Sequence, residues 1–425
     1  MNYALKMGLI VLLSGYWHTN SFAQNYTLEQ CQTDALQTSP VLKQKLYYES
    51  MASLELLNAK KSNLPQLTFS GQATYQSDVF QLPFTIPGSE PVVIPKDQYR
   101  ATIGVQQKIY DGQSVSKNNE LINAGNELNQ QQVEVELYQI KSVINQLYFG
   151  ILFFQEQESV IKSSQTTLQS QLKEVQSLVD NGVVLRSSLY SVKKELLILQ
   201  QQLIELESNK AALMDMLSKW MDNPLEKGAI LEVPTIAFKS EETEIKRPEL
   251  LLFEMQKRQI EANKSLLGVS NSPKLFAFAN GGVGNPNPYN FFQTDWSGFY
   301  MVGVKIEWNI FDYGRKNNNV KVLDNRALVL ESKKENYLKL TAINLLQNDR
   351  DIQKYEALLD EDKEIMALQK VVVEESYSQL NNGIITSTQY LMEVNSAMRA
   401  EINMKIHELS LIKSKIDLLT NSGNL

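Results

Sequence analysis

The fold is decided by a strand-and-turn stretch that occurs twice in the chain. The first copy reads Y99-R-A-T-I-G-V-Q-Q-K-I109 and breaks at Y110-D-G112, and the second reads Y300-M-V-G-V-K-I-E-W-N-I310 and breaks at F311-D-Y-G314. Each copy continues into a long proline-free segment that ends at an Asn-Gly turn. The Asp of the first turn precedes the Gly of the second by 71 residues in both copies, at an offset of 201. This equal spacing predicts an internal two-fold repeat.

A second alternating strand precedes each copy. The stretch Q66-L-T-F-S-G-Q-A-T-Y75 places apolar residues on one face and Thr, Ser and Gln on the other, and a loop with four prolines follows over 76–98. A strand over 274–282 occupies the same place in the second half. About ten residues of such alternation is the length that a tilted strand needs to cross a membrane. The sequence therefore predicts β-hairpins over 66–110 and 274–311. If such strands form a membrane barrel, their polar face lines its lumen, and the charges predicted to face that lumen are Arg100, Lys108, Lys305 and Glu307.

The long segments have an apolar period of seven. In the first, the main column is Ile140, Leu147, Phe154, Ile161, Leu168 and Val175. A second column beside it is interrupted by Glu158 and Gln165. In the other half, the column is Leu338, Leu345, Ile352, Leu359, Met366, Val373 and Leu380. This spacing predicts coiled-coil helices of about 100 Å, which must pack along their length against other helices.

The composition excludes several classes of protein. One Cys and two His exclude a disulfide framework and a Cys/His zinc site. A formal charge of −7 without basic clusters argues against nucleic-acid binding. No nucleophile–base set, phosphate loop or metal-ligand spacing is present, so neither an enzyme nor a cofactor is expected.

The N-terminus reads as a secretory signal, with Lys6, an apolar run over 7–15 and a Ser21-Phe22-Ala23 cleavage pattern. No run of 18 apolar residues follows it, which excludes an anchored helical membrane protein and leaves a β-barrel open. The predicted organisation is a signal peptide (1–23), a first repeat (24–224), a linker (225–246) and a second repeat (247–425). The first repeat comprises hairpin 66–110, long helix 113–180 and return helix 186–221; the second comprises helix 248–270, hairpin 274–311, long helix 315–381 and return helix 386–420.

Four strands cannot close a barrel, and open sheet edges are not tolerated in lipid, so several copies must share one barrel. The chain resembles the TolC family of outer-membrane efflux proteins over nearly all of the mature sequence. The resemblance rests on Y26-T-L-E-Q, on L64-P-Q-L-T-F, on the two Asp-Gly turns, and on N181-G-V-V and N382-G-I-I. It implies a mixed α and β membrane protein: a homotrimer whose subunits each contribute four strands to a 12-stranded transmembrane barrel, continued by a periplasmic α-helical barrel.

The family resemblance also implies function and partners. It implies a passive outer-membrane channel of a tripartite efflux or type I secretion system. The partners would be a periplasmic adaptor, an inner-membrane pump of RND, ABC or MFS type, and outer-membrane lipid. The alternative is a periplasmic or surface coiled-coil scaffold, which has the right helices but does not explain the paired amphipathic strands.

Two sets of site residues follow from the resemblance. The expected adaptor contacts are Gly182, Val183, Val184 and Leu185 at the first tip, and Gly383, Ile384, Ile385 and Thr386 at the second. The family's type member has an aspartate ring six and nine residues after the second tip glycine. Those positions here are Gln389 and Met392, with Ser188 as the first-copy equivalent and Glu393 adjacent. The expected periplasmic constriction is therefore polar and thioether rather than acidic.

Overall fold

The computed structural model describes residues 25–80, 93–225, 229–235, 244–290 and 293–425. The predicted signal peptide, residues 81–92 of the predicted proline-rich loop, and residues 226–228 and 236–243 of the predicted linker lie outside the described residues. The described elements are, in order, β1 (Asn25–Tyr26), α1 (Leu28–Thr38), α2 (Leu42–Lys61), β2 (Gln66–Tyr75), β3 (Asp97–Tyr110), α3 (Ser114–Asp180), α4 (Arg186–Met221), β4 (Ile230–Leu231), α5 (Pro248–Gly268), β5 (Lys274–Asn285), β6 (Ser297–Glu307), α6 (Arg315–Asn381) and α7 (Ser387–Ser422).

The chain divides into two compact units, each assembled from several segments. Of the described residues, those within 25–38, 141–235 and 351–415 form the helical unit, and those within 39–140, 244–350 and 416–425 form the sheet unit. Helices α3 and α6 have 67 residues each, and α4 and α7 have 36 residues each. Among the helices in the part of the chain that the structure describes, none is long and apolar enough to cross a membrane.

The sheet unit contains a four-stranded antiparallel sheet in the order β2-β3-β5-β6. A single row of paired residues crosses it as Phe69, Ile103, Gly281 and Tyr300. Within the described chain, β2 and β6 each pair on one side only, so both outer edges of the sheet are open.

Two strands differ in extent from the sequence expectation. Strand β5 continues to Asn285, and β6 runs from Ser297 to Glu307 rather than over 300–310. The cause is register: Lys274, the first residue of β5, pairs with Glu307, the last residue of β6. Residues 308–310 keep the alternating pattern but have no strand opposite them.

The sheet separates apolar and polar side chains onto opposite faces, because alternate residues of a strand point to opposite sides. On the apolar face, Phe69 is 75% exposed and Tyr300 is 80% exposed. The other strongly exposed members of this face are Leu67, Ile103, Val105, Val302, Val304 and Ile306. The polar face carries Thr68, Gln72, Arg100, Lys108, Asn280, Lys305 and Glu307. No described element covers the apolar face, which is an unusually large apolar surface for a protein in water.

An aspartate caps each helix that follows a hairpin. Asp111 accepts hydrogen bonds from the backbone N–H of Gln113 (2.9 Å) and Val115 (2.7 Å) at the start of α3. Asp312 accepts equivalent bonds from Gly314 and Lys316, both 3.0 Å, at the start of α6. A side-chain carboxylate at this position satisfies helix N–H groups that lack a partner within the helix. The Asp-Gly motif of the sequence thus has the same role at both strand-to-helix junctions.

The helical unit has a core shared by three helices. Helix α3 contributes Val160, Ile161, Leu168 and Val175; α4 contributes Leu189, Val192, Leu199 and Leu203; α7 contributes Tyr390, Leu391, Val394 and Met398. Residues 161, 168 and 175 belong to the column of sevens read from the sequence. This seam joins α3 to its return helix, as the heptad spacing predicts.

The two polar interruptions of the seam each have a partner on α4. The carboxylate of Glu158 pairs with Lys162 and, across the helix pair, with Lys210. Gln165 donates a hydrogen bond to Gln200 (3.1 Å). Polar pairs within a coiled-coil seam favour one register, because a slip of the helices would leave Glu158, whose side chain is 12% exposed, without Lys210.

Candidate functional site

Both helix tips close with the same hydrogen-bonded motif. At the first, the N–H of Gly182 donates to the Val179 carbonyl (3.0 Å) and the N–H of Val183 donates to the Leu178 carbonyl (2.8 Å). The backbone N–H groups of Gly383 and of the residue after it donate the two equivalent hydrogen bonds at the second tip, with lengths of 3.0 and 2.9 Å. The tip glycines have φ of +72° and +69°, a conformation that strains any other residue. The glycine of each Asn-Gly turn is therefore required by the backbone.

The apolar residues at the tips fall into two groups. Val183, Leu185 and Ile384 are 66%, 77% and 71% exposed. Val184 and Ile385 instead pack against the core of the helical unit. Each tip is thus held to the same core by one half-buried residue and presents its other apolar side chains to the surroundings. Exposed apolar side chains clustered at a turn are typical of a contact surface for another protein.

Two residues of the expected constriction and tip form a helix cap. The side-chain oxygen of Gln389 accepts hydrogen bonds from the N–H (2.8 Å) and the hydroxyl (3.0 Å) of Thr386, and the N–H of Gln389 donates to that hydroxyl (3.3 Å). This reciprocal arrangement is a capping box at the start of α7. The signal for it, Thr386-x-x-Gln389, is present in the sequence, and the same box forms between Thr27 and Gln30 at α1.

The remaining constriction residues have different surroundings. Met392 is exposed, whereas Ser188 and Glu393 are half-buried. Gln369 of α6 donates to the carboxylate (3.3 Å) and to the backbone carbonyl (3.2 Å) of Glu393. Glu393 is thus attached to its neighbouring helix. Gln369 also lines an open cleft of about 640 Å³ in the helical unit, formed by α3, α6 and α7.

The four charged residues predicted to face a lumen lie on the polar face of the sheet. Arg100 lines a small cavity of about 190 Å³ with Gln72 and Asn287. Lys305 forms an ion pair with Glu307 on the same strand. Lys108 lies two strands away from Lys305 in the same row of the register.

A further column of apolar residues was not recognised in the sequence. Tyr190, Leu197 and Ile204 of α4 are spaced by seven, and all three are strongly exposed. Helix α6 carries a comparable exposed stripe with Ile365, Leu368 and Val372. No described element covers this column, and apolar residues at heptad spacing are typical of a surface that packs against another helix. The seven-residue spacing was the signal that could have identified it.

The only histidine in the described chain is in a packed environment. Its Nδ1 lies 2.6 Å from Asp362 Oδ2, and its ring lies 5.9 Å from that of Tyr355. Across the described ranges, no group of three or more His, Cys, Asp or Glu side chains could hold a metal ion. His407 therefore has a structural explanation in its contact with Asp362.

The antiparallel sheet and the long helices give this chain the fold of solved outer-membrane channels. Solved structures with this fold include the CmeC outer membrane channel of Campylobacter jejuni, with a TM-score of 0.67 and 15% identity over 93% of this chain and 85% of that chain. VceC of Vibrio cholerae matches with a TM-score of 0.68 and 12% identity over 93% of this chain and 96% of that chain. The MtrE outer membrane channel of Neisseria gonorrhoeae matches with a TM-score of 0.67 and 14% identity, over 93% and 88%.

These similarities confirm, for a single chain, the mostly helical fold with an antiparallel sheet that outer-membrane channels share. No protein-family model matches the sequence, and no curated protein matches it either. At identities of 12–15%, the relation to the solved channels is one of fold. The structural neighbours are channel proteins rather than enzymes.

Proposed function

We propose that this protein is the outer-membrane channel of a tripartite efflux or type I secretion system and works without catalysing a reaction. The observation that carries the proposal is the four-stranded sheet, whose apolar face is exposed from edge to edge. Lipid is the environment in which such a face is stable, since apolar side chains there replace contact with water by contact with acyl chains.

The open edges support an oligomer. In lipid, an unpaired strand edge leaves backbone groups without partners, at several kcal/mol each. Pairing of β6 in one copy with β2 in the next removes both edges. Three copies of four strands form a closed 12-stranded barrel with the polar face inside, and the equal helix lengths of the two halves support the internal repeat.

The exposed heptad column on α4 supports the same oligomer. Leu197 is 71% exposed, with an apolar residue seven positions away on either side. A neighbouring copy that presents its α6 stripe would bury both columns and extend the oligomer into a periplasmic helical barrel. A homotrimer accounts in this way for the open sheet edges and for the uncovered helix columns.

The tips are proposed as the contact with a periplasmic adaptor, which joins the channel to an inner-membrane pump of RND, ABC or MFS type. Val183, Leu185 and Ile384 would make the contact, and Val184 and Ile385 would support them. Met392, with Gln389, Ser188 and Glu393, is proposed to line the periplasmic entrance, where the attachment of Glu393 to α6 leaves the thioether as the exposed group.

A channel and a coiled-coil scaffold differ in their attachment to the membrane. We expect the full chain to require detergent for extraction, to migrate as a heat-sensitive trimer, and to conduct ions in planar bilayers. Release of a monomer by a salt wash would instead support the periplasmic or surface scaffold.

The adaptor contact is testable by cysteine crosslinking. Burial removes Cys31 from solvent and raises the pKa of its thiol to about 12, so it will not react. A Val183→Cys variant therefore carries one reactive thiol, and Val184→Cys is the matched control at a packed position. We expect a maleimide crosslinker in cells to join an adaptor to the first variant and not to the second. Equal crosslinking at both positions would contradict a tip contact.

A further inference from the structure

The polar face of the sheet carries three phenylalanines that its polar pattern does not lead one to expect. Phe276 and Phe278 of β5 pair with Lys108 and Gln106 of β3, so they lie on the polar face. Phe299 of β6 pairs with Gly282 and lies on the same face. All three rings are partly exposed. We refer to Phe276, Phe278 and Phe299 as the aromatic strip.

Glycines on the neighbouring strands leave room for two of these rings. A Cβ placed at Gly303 would be 2.9 Å from Cζ of Phe278, and one placed at Gly282 would be 3.0 Å from Cζ of Phe299. Each ring therefore occupies the space above a glycine on the neighbouring strand, an arrangement that stabilises glycine-containing sheets. Phe299 also has Tyr289 as an edge-on neighbour, with 5.3 Å between ring centroids, so Phe276 and Phe278 are the rings considered for stacking.

Cationic groups flank the strip. Phe276 lies in register between Lys108 on β3 and Lys305 on β6. Lys305 has Glu307 as its ion-pair partner, whereas no carboxylate in the described part of the chain forms an ion pair with Lys108. The charged residues of the polar face are Arg100, Lys108, Lys274, Lys305 and Glu307, four cations against one carboxylate. This local excess of positive charge occurs in a chain whose formal charge is −7.

We propose that the aromatic strip and Lys108 form a binding site for planar aromatic anions, such as aryl carboxylates. The aromatic ring of the solute stacks on Phe276 or Phe278, and its carboxylate pairs with the Lys108 ammonium. The proposal rests on the proposed function for its location, because only in a closed barrel does the polar face line a lumen. Weak binding at such a site suits a conduit, since a solute must enter and also leave.

Equilibrium binding tests the site independently of transport. The purified full chain in detergent is titrated into 2-naphthoate, and binding is measured by the fluorescence anisotropy of the naphthoate. Replacement of both Phe276 and Phe278 by Leu keeps apolar volume over Gly303 and removes the stacking surface. We expect binding to weaken about 10-fold in this double variant. Phe69→Leu, on the apolar face, is the matched control and should bind as the unaltered chain does.

The charge requirement has its own variant. Lys108→Gln leaves the packing of the rings unchanged, so it remains informative if the double variant fails to fold, and it should weaken naphthoate binding about 5-fold. Cyclohexanecarboxylate, which lacks a ring face, and a naphthylmethylammonium cation should compete poorly. Unchanged affinity in Lys108→Gln, or equal loss in Phe69→Leu, would overturn the site.

Planar-bilayer recordings separate this proposal from the proposed function. If 2-naphthoate briefly interrupts the conductance of the unaltered chain, and interrupts that of the double Leu variant less, both the binding site and the channel function are supported. Conductance that naphthoate interrupts equally in both proteins overturns the site and leaves the channel. Binding in detergent without any conductance overturns the channel function and leaves the site on the sheet face.

Discussion

Replacement of Gly282 by Ala tests the close approach of β3 and β5. A methyl group at this position would lie 2.1 Å from the backbone oxygen of Ala101 and 3.0 Å from Cζ of Phe299. No rotamer change relieves contact with a backbone atom, so the two strands must separate by about 0.9 Å before that contact reaches 3.0 Å. Overpacking costs about 1–3 kcal/mol, and weakened ladder hydrogen bonds add about 1 kcal/mol. We expect Gly282→Ala to lower the free energy of unfolding by about 2–4 kcal/mol.

The adjacent glycine supplies the control. A methyl group at Gly281 meets nothing closer than the Phe299 backbone oxygen at 3.8 Å, so Gly281→Ala should change stability by at most about 0.5 kcal/mol. Urea denaturation followed by tryptophan fluorescence reports on this sheet, because Trp296 stacks on Tyr99 with 6.1 Å between ring centroids. Equal destabilisation by the two substitutions would refute the close approach of the strands.

Three further predictions concern the helices and the junction. Lys210→Met leaves Glu158, whose side chain is 12% exposed, with Lys162 as its partner. Urea denaturation followed by circular dichroism should show a free energy of unfolding lower by about 2 kcal/mol. Asn271 and two backbone N–H groups hold the pKa of Asp312 below its usual range. The ionised Asp312 therefore stabilises the folded state fully above the ordinary carboxylate pKa, and this contribution is lost as the pH falls through the lowered pKa. The unfolding free energy measured against pH should therefore fall less steeply in acid for Asp312→Asn. If the proposed trimer uses the exposed α4 column, Leu197→Gln should keep the helical content and give a monomer in detergent, and an intact trimer would exclude α4 from the subunit contact.

Most of the helical architecture was predictable because its signals are local. A period of seven identifies an apolar column along one side of a helix, and Ile161, Leu168 and Val175 of the predicted column are buried in the structure. The turn glycines were also predictable, because Asn-Gly at the end of a helix indicates a left-handed backbone conformation. The predicted end of β6 was wrong by three residues. Alternation persists through Ile310, whereas the length of the strand depends on where its partner strand begins.

The faces of β5 were not predictable from its sequence alone. K274-L-F-A-F-A-N-G-G282 is apolar at both alternating sets of positions, so period-two reasoning cannot decide which set faces the polar side. Pairing with β3 decides it, because Phe276 lies opposite Lys108. The cap between Thr386 and Gln389 was not predicted, although Thr386-x-x-Gln389 is a local capping signal in the sequence.

The tip motif has a consequence for the thermodynamics of association. Two backbone hydrogen bonds and one half-buried side chain, Val184 or Ile385, restrict the conformation of each turn. A partner that binds Val183 or Ile384 therefore meets an ordered surface and loses little conformational entropy there. Substitutions at Gly182 or Gly383 should accordingly weaken association through added disorder of the free tip, even though neither glycine has a side chain with which to touch a partner.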